Sequence, residues 1–378
     1  KKQKLLSAAC AQISTKMSSF FLNSSHNTNI ISNLAGIPSD AVLIGTHDGS
    51  FHCDEVLAIS MLSTLPAYKP SANTYIVRSR NPEILEKCHI VVDVGAVYDP
   101  STHRYDHHQR SFTDTLEGFN TKLSSAGLVY KHFGRAIIEH LAENRDETHS
   151  AKDLKILVDS CYTKLYKGFM EHIDAIDNGV SIAESGEPKY HISTSLSARV
   201  GQLNPSWNQP QGNDIQNEQF AKALLLCGGE FLTHAEELLS SWWPARSIVQ
   251  QALDGRFSHV GADGEPVAAA DGKIIIFSQA CPWKDHLFEL EAQGNVSPVL
   301  YALYADLGGS WRIQAVPVTS NSFDSRKKLP ADWCGLRDAE LSAKAGIDGC
   351  IFIHASGFIG GHATRKGAIA MAIKALTL

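Results

Sequence analysis

No Cys-x-x-Cys pair occurs in this chain, whose eight cysteines stand singly at positions 10, 53, 88, 161, 227, 281, 334 and 350. Such scattering excludes a zinc ribbon or a compact disulfide framework and fits a reducing, intracellular compartment. Nor does any apolar run approach the roughly 18 residues needed to cross a bilayer; the longest candidates are short, such as Ile274–Phe277. A membrane-spanning role is excluded. Positive charge is also short, with 34 Lys plus Arg against 40 Asp plus Glu. Any nucleic-acid binding must then use a local basic patch or bound metal, not bulk charge. GxxxxGK[ST], GxSxG and HExxH are absent, so P-loop hydrolysis, serine esterase chemistry and zincin proteolysis have no support.

What is present is a globular composition: 378 residues, 43% of them hydrophobic, suggest two or three domains at about 150 residues each. Residues 1–40 read as a disordered or targeting arm, Lys- and Ser-rich with no acid before Asp40. From residue 41 strands and helices alternate. Ala41–His47, Asn73–Arg80 and His89–Gly95 read as strands; Asp54–Leu65, Ser124–Glu143 and Leu154–Asn178 read as helices, Gly179 ending the last. This alternation predicts a mostly parallel α/β sheet over 41–200 with helices on both faces. A helical linker or insertion is expected over 201–272, and a smaller C-terminal α+β domain over 273–378.

Histidine is the abundant residue, at 17, and several lie beside aspartate. His47-Asp48-Gly49-Ser50-Phe51-His52-Cys53-Asp54-Glu55 follows the first predicted strand, at the end of an open α/β sheet where ligands bind. His47, His52 and Asp54 are donors suited to Mn²⁺, Fe²⁺ or Zn²⁺; the alternative is a capping turn with Asp54 as N-cap. Asp93 ends a run suited to burial, where an unpaired carboxylate needs a cation or donors, or else caps the turn at Gly95. In Asp106-His107-His108 the adjacent imidazoles of an extended segment point to opposite sides. Asp174 and Asp177 share a helix face near its C-terminus, where acids oppose the helix dipole and a cation would compensate.

These four elements resemble the motifs of the DHH phosphoesterase superfamily. Their wording is closer still to the eukaryotic melanocyte proliferating gene family, through residues 45–55, 91–95, 103–112, 122–127 and 174–179, and on through Leu196–Arg199, Trp243–Arg246, Ala280–Lys284 and His354–His362. The resemblance covers residues 41–378 and leaves only the arm outside.

The resemblance implies a DHH-type domain with its site in an interdomain cleft, and roles residue by residue. His47, His52 and Asp54 take the places of the first motif's His, Asp and Asp, with one extra residue and a histidine replacing the first aspartate. Asp93 matches the bridging acid, His107 a metal ligand, and His108 the imidazole facing phosphate. Asp174 is favoured as the last acid, with Asp177 close behind. One ion would take His47, His52 and Asp93, the other Asp54, Asp93, His107 and Asp174. In the tail, Gly357, Gly360 and Gly361 would admit a phosphate, with His362 and Arg365 as donors; Arg110 and Arg312 are further basic candidates. The implied cofactors are two divalent ions, Mn²⁺ favoured over Mg²⁺ or Zn²⁺. The implied activity is 3′-to-5′ exonuclease cleavage of single-stranded RNA, in mitochondria and nucleus, with Asp93, His107 and His108 at the chemistry. A small-molecule phosphohydrolase and a metal-stabilised RNA-binding protein without turnover stay open as alternatives.

Overall fold

The computed structural model describes residues 29–145, 147–183, 186, 188–258, 271–294 and 297–378. Its chain order opens β1 (Asn29–Ile31), β2 (Val42–Thr46), α1 (Cys53–Leu62), β3 (Thr74–Arg78), α2 (Pro82–Leu85), β4 (Ile90–Val92), β5 (Tyr98–Asp99) and β6 (Arg104–Tyr105). Helices α3 (Ser125–Glu143), α4 (Ala151–Leu165), α5 (Glu171–Asp177), α6 (Leu196–Gly201), α7 (Asn213–Glu237) and α8 (Trp243–Asp254) come next. The remainder is β7 (Ile274–Ile276), α9 (Lys284–Gly294), β8 (Tyr301–Ala305), β9 (Trp311–Ala315), α10 (Asp338–Ala345), β10 (Cys350–Ile353), β11 (Ile359–His362) and α11 (Arg365–Thr377). The fold is mixed α/β, and no helix among the described residues is long and apolar enough to cross a membrane.

Two compact units divide between Leu239 and Ser240. In the first, six strands run in the order β1-β3-β2-β4-β6-β5, parallel throughout except for the β5–β6 pair. Continuous apolar strands suit a sheet covered on both faces. One face packs Leu43, Val77 and Val91 with Leu85 and Cys88, and Gly45 fits there because a Cβ would lie 3.1 Å from Cys88 Sγ. All ten residues of α1 are buried, as its nearly unbroken apolar sequence requires. Because the β2, β4 and β6 strands are parallel neighbours, the segments after them emerge at one edge: His47 to Glu55, Asp93, and Asp106 to His108.

The second unit has the order β10-β11-β9-β8-β7, with only β7–β8 parallel. Its strands alternate sides with period two: Ile274, Ile276, Leu303 and Ile313 face Ile369 and Met371 of α11. Ile275, Ala302 and Val316 face Val249, Leu253 and Leu287 from α8 and α9.

Three boundaries differ from the sequence expectation. Strand β1 pairs with β3 from within the stretch assigned to the arm; residues 1–28 of that arm lie outside the described residues. The expected linker over 201–272 divides instead, since Ser60 Oγ of α1 donates to Leu224 O of α7 at 3.1 Å while α8 belongs to the second core. The single helix expected over Leu154–Asn178 is broken by a π-helical turn at Tyr166–Met170.

Candidate metal centre

His47 leaves β2 with Nδ1 held 3.0 Å from the Asp48 carbonyl. That bond fixes Nδ1–H as a donor, so Nε2 carries the lone pair in the neutral ring. Nε2 stands 3.1 Å from Glu55 Oε1 and 3.4 Å from Asp93 Oδ2. The chain then turns into α1 at His52, whose backbone N–H donates to both Glu55 oxygens at 2.8 and 3.0 Å. His52 is thus the N-cap and Asp54 lies inside the helix, so the alternative reading of Asp54 as cap does not hold. Buried Arg78 at the end of β3 braces the turn: its Nη2 donates to Gly49 O at 2.6 Å, Nη1 donates to Asn217 Oδ1 at 3.1 Å, and the guanidinium stacks on Phe51 and Phe220.

Asp93 follows β4 with φ of 60°, a left-handed conformation that Asp tolerates better than most residues and that concentrates at functional sites. Ser125 Oγ, at the start of α3, donates to its Oδ1 at 3.0 Å. Asp106 braces the next loop, accepting from Ala96 N at 2.7 Å and from His108 N at 3.0 Å. His107 is buried and His108 exposed, the latter with Nδ1 2.8 Å from Asp106 Oδ1. The two side chains differ in exposure but do not part as an extended pair would: their ring centroids lie 4.4 Å apart, and His108 Nδ1 comes to 3.5 Å from Asp93 Oδ1, the oxygen that His107 also approaches.

His107 Nε2 lies 3.1 Å from Asp177 Oδ2, 3.5 Å from Asp93 Oδ1 and 3.8 Å from Asp54 Oδ2. The favoured last acid, Asp174, is not among these groups. Ser124 N and Oγ donate to its Oδ1 at 3.0 and 2.7 Å, and Tyr166 O–H donates to its Oδ2 at 2.8 Å. Its lone pairs are spent on the fold, and a Cβ at Gly127 would collide with its carboxylate. Asp177, one turn on and partly exposed, is the acid that reaches His107.

The groups that could hold an ion accordingly differ from the expected sets. His47, His52, Glu55 and Asp93 form one group, Asp93, His107 and His108 a second, and Asp54, His107 and Asp177 a third. Glu55 was missed by sequence reasoning although it closes the nonapeptide that carried the first motif; its spacing from His52 also reads as a helix cap. Ser124 and Ser125 lie in the 122–127 segment, where sequence reasoning assigned no role.

Among the described residues, neither oxygen of buried Asp54 and neither ring nitrogen of His107 meets hydrogen-bond geometry. Buried polar atoms of that kind call for an ion or water, and an imidazole–carboxylate donor set suits divalent Mn²⁺, Fe²⁺ or Zn²⁺. These residues fit a divalent metal. Electrostatics agree. Burial, then the Asp93, Asp177 and Glu55 carboxylates, push the Asp54 carboxyl well above its usual range. Burial also opposes charge on His47, yet its bonds to Asp93 and Glu55 prevail and raise it to about 10. His107 is raised against burial to about 9 by Asp177 and Asp93. Burial would lift the Asp93 carboxyl, but His107 and His47 hold it well below the carboxylate range.

The chelated protein should therefore be pH-dependent. Both imidazoles bind protons more tightly folded than unfolded, so their stabilisation is complete below about pH 6.5 and is lost as pH rises through about 9 to 10. Thermal melts in chelator should fall steadily across that window. Metal affinity should rise over the same range, because ligands must shed those protons first. A flat melting profile would remove the cationic imidazoles.

The tail departs from expectation. Gly360 and Gly361 lie within strand β11, where a Cβ would collide with Ile353 and with Arg312 and Phe352 respectively. They make room for side chains, so a phosphate-admitting loop at this point is corrected. His362 is buried, with Nε2 2.9 Å from Asp348 O and Nδ1 accepting from Thr364 N at 2.9 Å. Both nitrogens are occupied, and His362 is not a free donor. Arg312 pairs with Asp306 at 2.6 Å. Arg110 and Arg365 are exposed, the latter 5.9 Å from the Trp311 ring, and Gly357 has φ of +72° beside Cys334.

The family model MYG1_exonuc, described as "Uncharacterised protein family (UPF0160)", matches residues 43–376. The chain is 49% identical over 338 residues to the MYG1 exonuclease of Mus musculus, spanning 87% of this chain and 83% of that protein. It is 48% identical to the MYG1 exonuclease of Homo sapiens, over 87% of this chain and 84% of that one. With the MYG1 protein YER156C of Saccharomyces cerevisiae the identity is 43%, over 87% and 94% respectively. Matches of this breadth and identity leave one assignment: the chain belongs to the MYG1 exonuclease family.

Proposed function

We propose that this chain is a divalent-metal-dependent phosphodiesterase, and specifically a 3′-to-5′ exonuclease acting on single-stranded RNA. The observation that carries the reading is the convergence of His47, Glu55, Asp93, His107 and Asp177, from four distant segments, around unsatisfied Asp54. The names of the relatives, MYG1 exonuclease in mouse and human, support a nuclease. Two ions are proposed, Mn²⁺ first. When bound, such ions lower the pKa of a coordinated water and hold a phosphate for in-line attack.

The chain's own residues do the rest. His47, His52, Glu55 and Asp93 would hold one ion, and Asp54, Asp93, His107 and Asp177 the other. Asp93 offers one oxygen to each group, which fixes their spacing. His108, exposed and anchored through Nδ1 to Asp106, keeps Nε2 for a phosphoryl oxygen, where it would neutralise charge that grows during displacement. Arg110, exposed two residues beyond His108, is the cation proposed to steer the strand.

End-labelled single-stranded RNA and DNA, incubated with Mn²⁺, Mg²⁺ or Zn²⁺ beside pyrophosphate, test the proposal. RNA should shorten progressively from its 3′ end. Turnover of pyrophosphate alone would assign a small-molecule phosphohydrolase, and metal-stabilised RNA binding without cleavage would assign a non-catalytic role.

A further inference from the structure

We infer that Glu55 is a metal ligand that supplies the carboxylate missing at position 52, and that its pocket is built for a transition-metal dication. The inference rests on the proposed metal dependence and adds to it a donor and a selectivity.

With histidine at 52, the pocket of His47, His52 and Asp93 would hold two neutral imidazoles and one carboxylate. A dication buried there would be poorly compensated. Glu55 sits one turn further into α1, is fully buried, and brings Oε1 to 3.1 Å from His47 Nε2. Asp93 Oδ2 approaches the same nitrogen at 3.4 Å. Since Nδ1 is committed to the Asp48 carbonyl, Nε2 is the nitrogen turned toward the two carboxylates, and an ion would take the place of the proton it shares with them. Nearest neighbours around a tetrahedral ion with bonds near 2.1 Å stand about 3.4 Å apart. One atom from each of His47, His52, Glu55 and Asp93 lies within 4.8 Å of the others.

Two imidazoles and two carboxylates favour Zn²⁺, Fe²⁺ or Mn²⁺ over Mg²⁺, which prefers oxygen and retains water. The neighbouring group of Asp54, His107 and Asp177 has more oxygen than nitrogen and tolerates Mg²⁺. The pair is therefore asymmetric, with selectivity lodged in the Glu55 pocket.

The test measures binding, not turnover. Metal-free full-length chain is titrated with Mn²⁺ and with Mg²⁺ by calorimetry, as wild type, Glu55→Gln, and Glu55→Gln combined with His52→Asp. Wild type should take two Mn²⁺. Glu55→Gln should weaken one of them by at least about tenfold and leave the other unchanged. Its helical circular dichroism in chelator should match wild type, because the amide oxygen still accepts from His52 N, although the melting temperature drops by the lost pairing with His47. Adding His52→Asp should restore the lost affinity by returning a carboxylate to the pocket.

Wild-type affinity at both sites in Glu55→Gln overturns the inference. So does weakening of both ions together with loss of helical circular dichroism in chelator, unrescued by His52→Asp, which would make Glu55 a helix cap only. A wild type that binds no divalent ion overturns the parent reading as well and is told apart by that control.

Discussion

Asp93→Asn should abolish phosphodiester cleavage, with the single-turnover rate falling by at least about 10³. Asp93 faces both buried histidines, with Oδ2 3.4 Å from His47 Nε2 and Oδ1 3.5 Å from His107 Nε2. Asparagine keeps the bond from Ser125 Oγ and tolerates the left-handed backbone at φ 60°. The fold should therefore persist. The charge and the second strong donor are lost, so both ions weaken together. Cleavage of end-labelled RNA in Mn²⁺, with circular dichroism on the same sample, reads both quantities. An Asp93→Asn protein that cuts at the wild-type rate would end the two-ion reading.

The second large effect separates two acids only three residues apart. Asp174→Ala should destabilise the first unit by about 3 kcal/mol or more, since it strands the Ser124 N–H, Ser124 O–H and Tyr166 O–H donors in a buried site at about 1 to 3 kcal/mol each. Burial pushes the Asp174 carboxyl up to about 6 even against the pull of those bonds, which marks a group enclosed by protein. Asp177→Ala should lower the melting temperature in chelator far less than Asp174→Ala, losing only its pairing with the His107 imidazolium, while weakening metal binding and slowing cleavage by at least about 10²-fold. Denaturant melts and metal titrations on both variants decide the matter. Normal stability with lost metal in Asp174→Ala would return the ligand role to that residue.

Why the sequence favoured Asp174 over Asp177 is instructive. A spacing of three places both carboxylates on one helix face, and periodicity has no means to choose between them. The choice is made by Tyr166, which sits in the π turn at Tyr166–Met170. A π turn inserts a residue and rotates the helix beyond it, and a 3.6-residue period does not anticipate that rotation. The chemistry after β2, β4 and β6 was legible because ligand-bearing loops follow parallel strands, whereas the opposite pointing that adjacency implied for His107 and His108 gives way to two rings that both approach Asp93 Oδ1.

Other departures share a cause in tertiary context. Glycine is depleted in strands, so Gly360-Gly361 reads as a loop; in β11 their missing Cβ atoms admit Ile353, Arg312 and Phe352. His362 reads as an exposed donor for the same reason, whereas Asp348 and Thr364 have claimed both its nitrogens. The β1 strand has three residues and no pattern of its own, and it exists through its pairing with β3. Glu55 escaped notice because one spacing serves both a cap and a ligand.

Arg78 ties the segment between His47 and His52 to α7 through Asn217, in a slot lined by Phe51 and Phe220. The loop's shape is thereby set by the scaffold before any cation arrives. An incoming ion meets a finished socket and spends little of its binding free energy on immobilising chain; loading should proceed as fast as the ion can shed its own water.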